Sequence, residues 1–240
     1  MEFIKHRSIV LCVGLLAGMC SANAQGGSVS GSLALTSNYA LRGLSQSRGD
    51  PALQGSLQYD SPLQWTVGVW GSTTRLDPRN STRAEFDVYL SYRWTLSEDW
   101  RINTSFVRYI YPFDRKELEY DYNELVATLD YRNMAFFTVA WSPATARYSK
   151  QYYADANAVS YDVAWAAPLS RTFIANVGVG YYDLSDLFDR GYWYWSAGVG
   201  YERNGWHIAA TYIGADAVAK QLFSPSVRVN GIVATVARRF

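Results

Sequence analysis

The amino-acid sequence predicts an all-β chain: a single antiparallel, up-and-down transmembrane β-barrel of about twelve strands over residues 25–240. Three observations point to it. Apolar residues recur at every second position in segment after segment, the period of a strand with one oily and one polar face. The connections alternate between short turns and longer, more charged loops, as in a barrel that crosses a membrane; a Greek-key sandwich has no reason to alternate in this way. The 240 residues include 19 Tyr and 9 Trp but only 2 His and 3 Met, an enrichment expected where rings line two membrane interfaces. The mean hydropathy of −0.15 does not oppose this reading, because alternating faces cancel in an average.

The N-terminus reads as a secretory signal peptide over residues 1–24. Lys5, His6 and Arg7 give a basic start, Ser8 to Met19 an apolar run, and Ala22-Asn23-Ala24 the small residues of a cleavage site before Gln25. The apolar run is shorter than the roughly 20 residues a spanning helix needs. Both cysteines, Cys12 and Cys20, lie in this leader, so the mature chain has no thiol chemistry. Of 22 basic and 21 acidic residues, the leader removes Lys5, Arg7 and Glu2. The neutral remainder argues against a nucleic-acid partner, which calls for a basic excess. No later apolar run approaches spanning-helix length, so a membrane core would be crossed by strands.

The strands follow in order. The first is expected from about Val29 to Arg42, with Leu33, Leu35, Tyr39 and Leu41 on one face, and Ser45 to Pro51 as a polar loop. Leu53, Leu57 and Tyr59 mark the second strand, and Trp65, Val67 and Val69 the third, joined by a turn at Asp60-Ser61-Pro62. In the fourth, Phe86, Val88, Leu90, Tyr92 and Trp94 alternate with Glu85, Asp87, Tyr89, Ser91 and Arg93. A helix would scatter those charges, whereas a strand collects them on one face. Trp100 to Tyr111 is the fifth strand. The sixth sets Leu125, Ala127 and Leu129 against Glu124, Thr128 and Asp130, and turns at Arg132-Asn133 into the seventh. The eighth carries Val159, Tyr161, Val163 and Trp165 opposite Asp162, and the ninth runs from Phe173 to Tyr181. Two alternating runs then flank Asn204-Gly205, the dipeptide best suited to a two-residue type I′ turn. The last strand is expected from Ser226 to Phe240, and no helix is expected after Gln25. The even count puts both termini on the short-turn side. Gly178, Gly180, Gly198 and Gly200 fall on the inward face, where they would relieve crowding beneath Tyr182 and Tyr194 or allow tight barrel curvature.

Specific residues carry a resemblance. Leu35-Thr36-Ser37-Asn38-Tyr39 with Arg42-Gly43-Leu44-Ser45-Gln46, Asp50-Pro51-Ala52, Gly68-Val69-Trp70-Gly71-Ser72, Glu85-Phe86-Asp87 and Tyr122-Asn123-Glu124 resemble the TorF-like porin family of proteobacteria. The match is strongest in the first half of the chain. The resemblance implies an outer-membrane barrel acting as a porin, and carries no solute and no catalytic motif. The terminal Phe240, with Val236, Ala234 and Ile232 stepping back on its face, resembles the assembly signal of outer-membrane proteins; Arg238 departs from that pattern.

The inward charges are the candidate site: Arg42, Glu85, Asp87 and Glu124 toward the long-loop mouth, Asp162, and Arg93, Asp130 and Glu202 toward the short-turn end. Opposed charges across a narrow pore sort ions; equally, they could pair and brace the wall. Loops Tyr111 to Tyr122 and Pro143 to Ala154 are long enough to fold inward. A barrel hydrolase would need an activated nucleophile beside a base, and the one mature histidine, His207, reads as a solvated rim residue. No catalytic residue is assigned. Neither a His/Cys cluster nor a calcium-loop spacing is present, so no metal or other cofactor is expected. The function expected is passive diffusion of small hydrophilic solutes through the outer membrane, the alternatives being a barrel enzyme and a non-conducting structural barrel. The partners expected are membrane lipid, lipopolysaccharide, small polar solutes and, through Phe240, the barrel-assembly machinery.

Overall fold

The computed structural model describes residues 26–76, 83–112, 120–143, 156–223 and 230–240. The strands are β1 Ser28–Thr36, β2 Ala40–Leu41, β3 Leu44–Ser45, β4 Ala52–Asp60, β5 Trp65–Thr73, β6 Ala84–Thr95 and β7 Trp100–Ile110. They continue as β8 Tyr122–Tyr131, β9 Ala135–Ser142, β10 Ala158–Pro168, β11 Phe173–Asp183, β12 Tyr192–Arg203, β13 Trp206–Ala215 and β14 Gly231–Arg239. All but β2 and β3 form one closed antiparallel barrel of twelve strands, each paired with its chain neighbours, and β14 returns to pair with β1. The expected architecture is therefore the observed one.

Alternation decides which side chains face out. Leu33, Leu57, Leu90, Phe106, Val163 and Val199 are exposed around the outer wall, with Trp65, Trp94, Trp193 and Trp206 among the exposed rings nearer its two ends. A continuous apolar belt of this kind on a water-soluble protein would be an association liability; against acyl chains it is the required surface. The inner wall is hydrophilic at mid-height. Ser32, Ser56, Ser91, Asn103, Thr128, Thr138, Asn176 and Ser196 face inward and are partly accessible. Cross-strand hydroxyl pairs such as Ser32–Ser56 and Ser91–Ser105, each at 2.8 Å, tie neighbouring strands together there.

The tight turns follow local chemistry. Arg132 and Asn133 have φ of 56° and 54°, and Asn204 and Gly205 have 51° and 77°, the left-handed pair that a type I′ turn demands. Arg132 clasps Asp99 of the adjacent turn through Nε (2.7 Å) and Nη2 (2.9 Å). Those hydrogen bonds hold the Asp99 carboxyl below its ordinary range, although so exposed a pair adds little stability.

Four expectations change. The first strand leaves the wall at Thr36 rather than Arg42, because the chain turns into the lumen at Ser37, whose N–H still bonds to the Ala234 carbonyl at 2.8 Å. The last strand begins at Gly231 rather than Ser226; residues 224–229 lie outside those described. Two short helices do form, α1 Ser185–Phe188 and α2 Ala217–Leu222. In α2 the Asp216 carboxylate accepts from the Ala219 N–H at 3.0 Å, an N-cap at a position read as plain loop. His207 is buried rather than solvated, as described below. Residues 1–25, which hold the expected signal peptide, and most of the two loops expected to fold inward fall outside the described residues. Among the described residues no helix is long and apolar enough to cross a membrane.

Candidate functional site: a hairpin across the lumen

Between β1 and β4 the chain forms a small hairpin of β2 and β3, closed by Arg42-Gly43 with φ of 48° and 78°. Small polar side chains build its base. Asn38 Oδ1 accepts from Ser45 Oγ (2.5 Å) and Ser47 Oγ (3.0 Å). Ser47 Oγ accepts from the Tyr39 N–H (3.0 Å), Ser45 Oγ from the Gly49 N–H (2.9 Å), and the Gln46 N–H donates to the Tyr39 carbonyl (2.7 Å). Side chains of this type bond to nearby backbone and fold a loop locally.

The hairpin reaches the opposite wall. Arg42 Nη2 donates to Glu124 Oε1 on β8 at 2.6 Å, and its guanidinium carbon lies 4.5 Å from the ring centroid of Tyr182 on β11. The Tyr192 hydroxyl on β12 donates to the Arg42 carbonyl at 3.0 Å. Gly43 allows that approach. A Cβ there would sit 2.8 Å from Tyr194 Cβ and 2.9 Å from both Ala215 Cβ and the Gly214 carbonyl oxygen, at a backbone angle disfavoured for other residues. Leu44 is buried among Leu184, Tyr192, Tyr194, Ala215 and Ala219, so the α1 and α2 segments close over the tip.

The structure gathers five of the predicted site residues at this neck. Glu124 accepts from Arg42, from the Tyr109 hydroxyl (3.1 Å) and from Ser142 Oγ (2.8 Å). Glu85 Oε1 accepts from the Tyr39 hydroxyl at 3.2 Å. Asp162 accepts from the Tyr194 hydroxyl. Gly180 makes room for that bond, since a Cβ there would lie 2.3 Å from Tyr194 Cζ and 2.5 Å from Asp162 Oδ1. Asp87 is fully buried, yet neither carboxylate oxygen has a hydrogen-bond partner. A guanidinium and a carboxylate removed from water hold only with close geometry and further partners; Glu124 has two hydroxyl donors besides Arg42, and the guanidinium has the Tyr182 ring.

The other three lie toward the short-turn end. Arg93 Nε is 3.4 Å from Asn103 Oδ1. Asp130 pairs with Arg101 at 3.1 Å and accepts from the Asn133 N–H at 2.7 Å. Glu202 lies 3.1 Å from His207 Nδ1 and 3.4 Å from Arg239 Nη1. His207, expected at the solvated rim, is 6% exposed and points inward. Its even spacing from the inward Ala209 and Thr211 could have shown this, because Trp206 and Ile208 face out. Sequence reading also missed the hairpin and the ring of tyrosines, Tyr39, Tyr109, Tyr182, Tyr192 and Tyr194, that serves the neck's charges. The available signals were Arg42-Gly43 as a turn dipeptide and the phase of Tyr109 with Glu124 across β7 and β8.

A protein-family model described as a bacterial protein of unknown function (Gcw_chp) matches residues 21–239. The chain belongs to this family. No curated protein matches this Gcw_chp chain in sequence. Its fold is similar to solved porins. The NanC porin aligns over 88% of this chain and 98% of its own, with a TM-score of 0.59 and 7% identity. The KdgM porin covers 88% and 99%, with a TM-score of 0.53 and 8% identity. A KdgM porin in complex with disordered oligogalacturonate covers 88% and 97%, with a TM-score of 0.51 and 6% identity. At such identities the likeness is one of fold, and it shows that the barrel resembles outer-membrane porins.

Proposed function

We propose that this Gcw_chp protein is an outer-membrane, porin-like channel for passive diffusion of small hydrophilic solutes, with the β2–β3 hairpin as its constriction. One observation carries the reading. A barrel that is apolar outside and hydrophilic inside holds an arginine-tipped hairpin across its lumen, bonded to the far wall. A purely structural barrel has no need of a charged crossbar, whereas a channel uses one to set bore and field. The resemblance to TorF-like porins and the likeness to porin folds support the same reading. In this arrangement the long loops face outward, both termini face the periplasm, and the strand ending in Phe240 addresses the assembly machinery.

The solute class follows from the lining. An acidic sugar such as the oligogalacturonate bound by the KdgM porin would meet Glu85, Asp87 and Asp162 here, with one guanidinium already bonded to Glu124. Neutral or cationic small solutes suit this neck better. Single-channel recording in planar bilayers tests the function. Wild-type protein should give small ohmic steps, and Arg42→Gln, which frees the hairpin tip, should give larger ones. Absence of steps from both proteins, each folded and inserted, would overturn the reading.

A further inference from the structure

Glu85 and Asp87 face inward from β6 two positions apart, and both have 0% exposure. Asp87 stands across from Trp70 on β5 and Tyr109 on β7. Neither Asp87 oxygen has a hydrogen-bond partner, and nor does Glu85 Oε2. Arg42 does not answer them, because its guanidinium is bonded to Glu124. The Tyr109 hydroxyl is likewise turned to Glu124 and the Tyr39 hydroxyl to the other Glu85 oxygen, with the Tyr111 hydroxyl also close to Glu85. A buried carboxyl group is paired, coordinates a cation or takes up a proton. The three bare oxygens are thus a feature that the hairpin contacts leave unexplained.

We propose that Glu85 and Asp87 form a binding site for a hard divalent cation of the calcium class, held by both Asp87 oxygens and Glu85 Oε2. The donors are all oxygens, two carboxylates with tyrosine hydroxyls close by, and this set selects calcium-like ions over zinc or copper, which favour nitrogen and sulfur. Among the described residues no group of three or more His, Cys, Asp or Glu side chains is placed to hold a metal. Two charges completed by water and hydroxyls make a weak site, of the submillimolar to millimolar kind found in extracellular modules. An ion here offsets the acidic excess of the neck. It also bears on the hairpin, since Glu85 accepts from Tyr39 at the hairpin's base. The site stands whether or not solutes pass.

Terbium(III) replaces calcium and is excited by nearby tyrosines such as Tyr39 and Tyr109, so sensitised emission from the full folded chain in detergent reads occupancy. Wild type should show saturable emission that calcium displaces. Asp87→Asn should bind about 10-fold more weakly, through the loss of one of two charged ligands, and Glu85→Gln should be weakened in the same direction. Glu98→Gln, in an exposed turn, should match wild type. If Asp87→Asn fails to fold, Glu85→Gln carries the comparison. No saturable emission from wild type, or wild-type affinity in the Glu85 and Asp87 variants, overturns the site. So does a protonated-carboxyl infrared band, lost in Asp87→Asn, in protein equilibrated with calcium; it would mean that a proton, not a metal, answers the charge.

Discussion

Arg42 and Glu124 show how one contact settles the geometry of the neck. The guanidinium is held at 2.6 Å from the carboxylate while both side chains are nearly inaccessible, at 9% and 3%. Loss of either partner strands the other out of water, which is costlier than loss of both. A double-mutant cycle with Arg42→Gln and Glu124→Gln, measured by urea unfolding in detergent, should therefore give a coupling energy of at least about 1.5 kcal/mol. Near-additive single variants would mean that the contact is incidental. The sequence showed that both residues carry charge toward the lumen, and it offered no means of pairing them. Their meeting depends on a loop that crosses the barrel, and periodicity along a chain is blind to contacts of that kind. Tyr109 and Ser142 differ, because they reach Glu124 from the adjacent wall strands β7 and β9, where strand phase was a usable signal. His207 is a different case. Its inward parity was readable from its neighbours, and the nearby turn drew the reading toward the rim.

At the scale of elements, the twelve wall strands were legible because each must satisfy two solvents at once, lipid on one side and lumen on the other. That demand writes a period of two into every strand, and a one-residue slip would invert both faces. The hairpin escaped for a related reason. Tyr39 and Leu41 continue the phase of Leu33 and Leu35, so the pattern runs on smoothly after the backbone has left the wall at Thr36. Apolar residues inside the lumen need cover as much as those outside it, and Leu44 finds it under α1 and α2. Seating of the hairpin turns on Gly43. Gly43→Ala adds a methyl 2.8–2.9 Å from Tyr194, Ala215 and the Gly214 carbonyl, at a φ of 78°, a combination that costs about 1–3 kcal/mol. The variant should remain a folded barrel, shown by heat-modifiable migration on gels, while its single-channel conductance rises. Unchanged conductance in that folded variant would show that the hairpin does not set the bore.

For the whole molecule, the decisive quantity is the free energy of the outer surface in its solvent. Leu90 is exposed at 47% near the middle of β6, and its neighbour Ser91 faces the lumen. Leu90→Arg should cost roughly 2–4 kcal/mol if position 90 meets the bilayer midplane, whereas Ser91→Asn should lie within about 0.5 kcal/mol of wild type. Urea unfolding from lipid vesicles checks both, and equal effects would contradict a membrane-spanning wall. One feature of the ring reaches further. β1 is paired with β4 along its whole length, but its other edge waits for the last strand, where Gly31 and Phe240 exchange backbone bonds of 2.9 and 3.0 Å. Some two hundred residues separate these partners, so the cylinder cannot be sealed until Phe240 is in place. A chain cut a few residues short would present bare amides along β1 to whatever strand came near, and its natural fate would be to zip onto another unfinished copy rather than to stand alone in the bilayer.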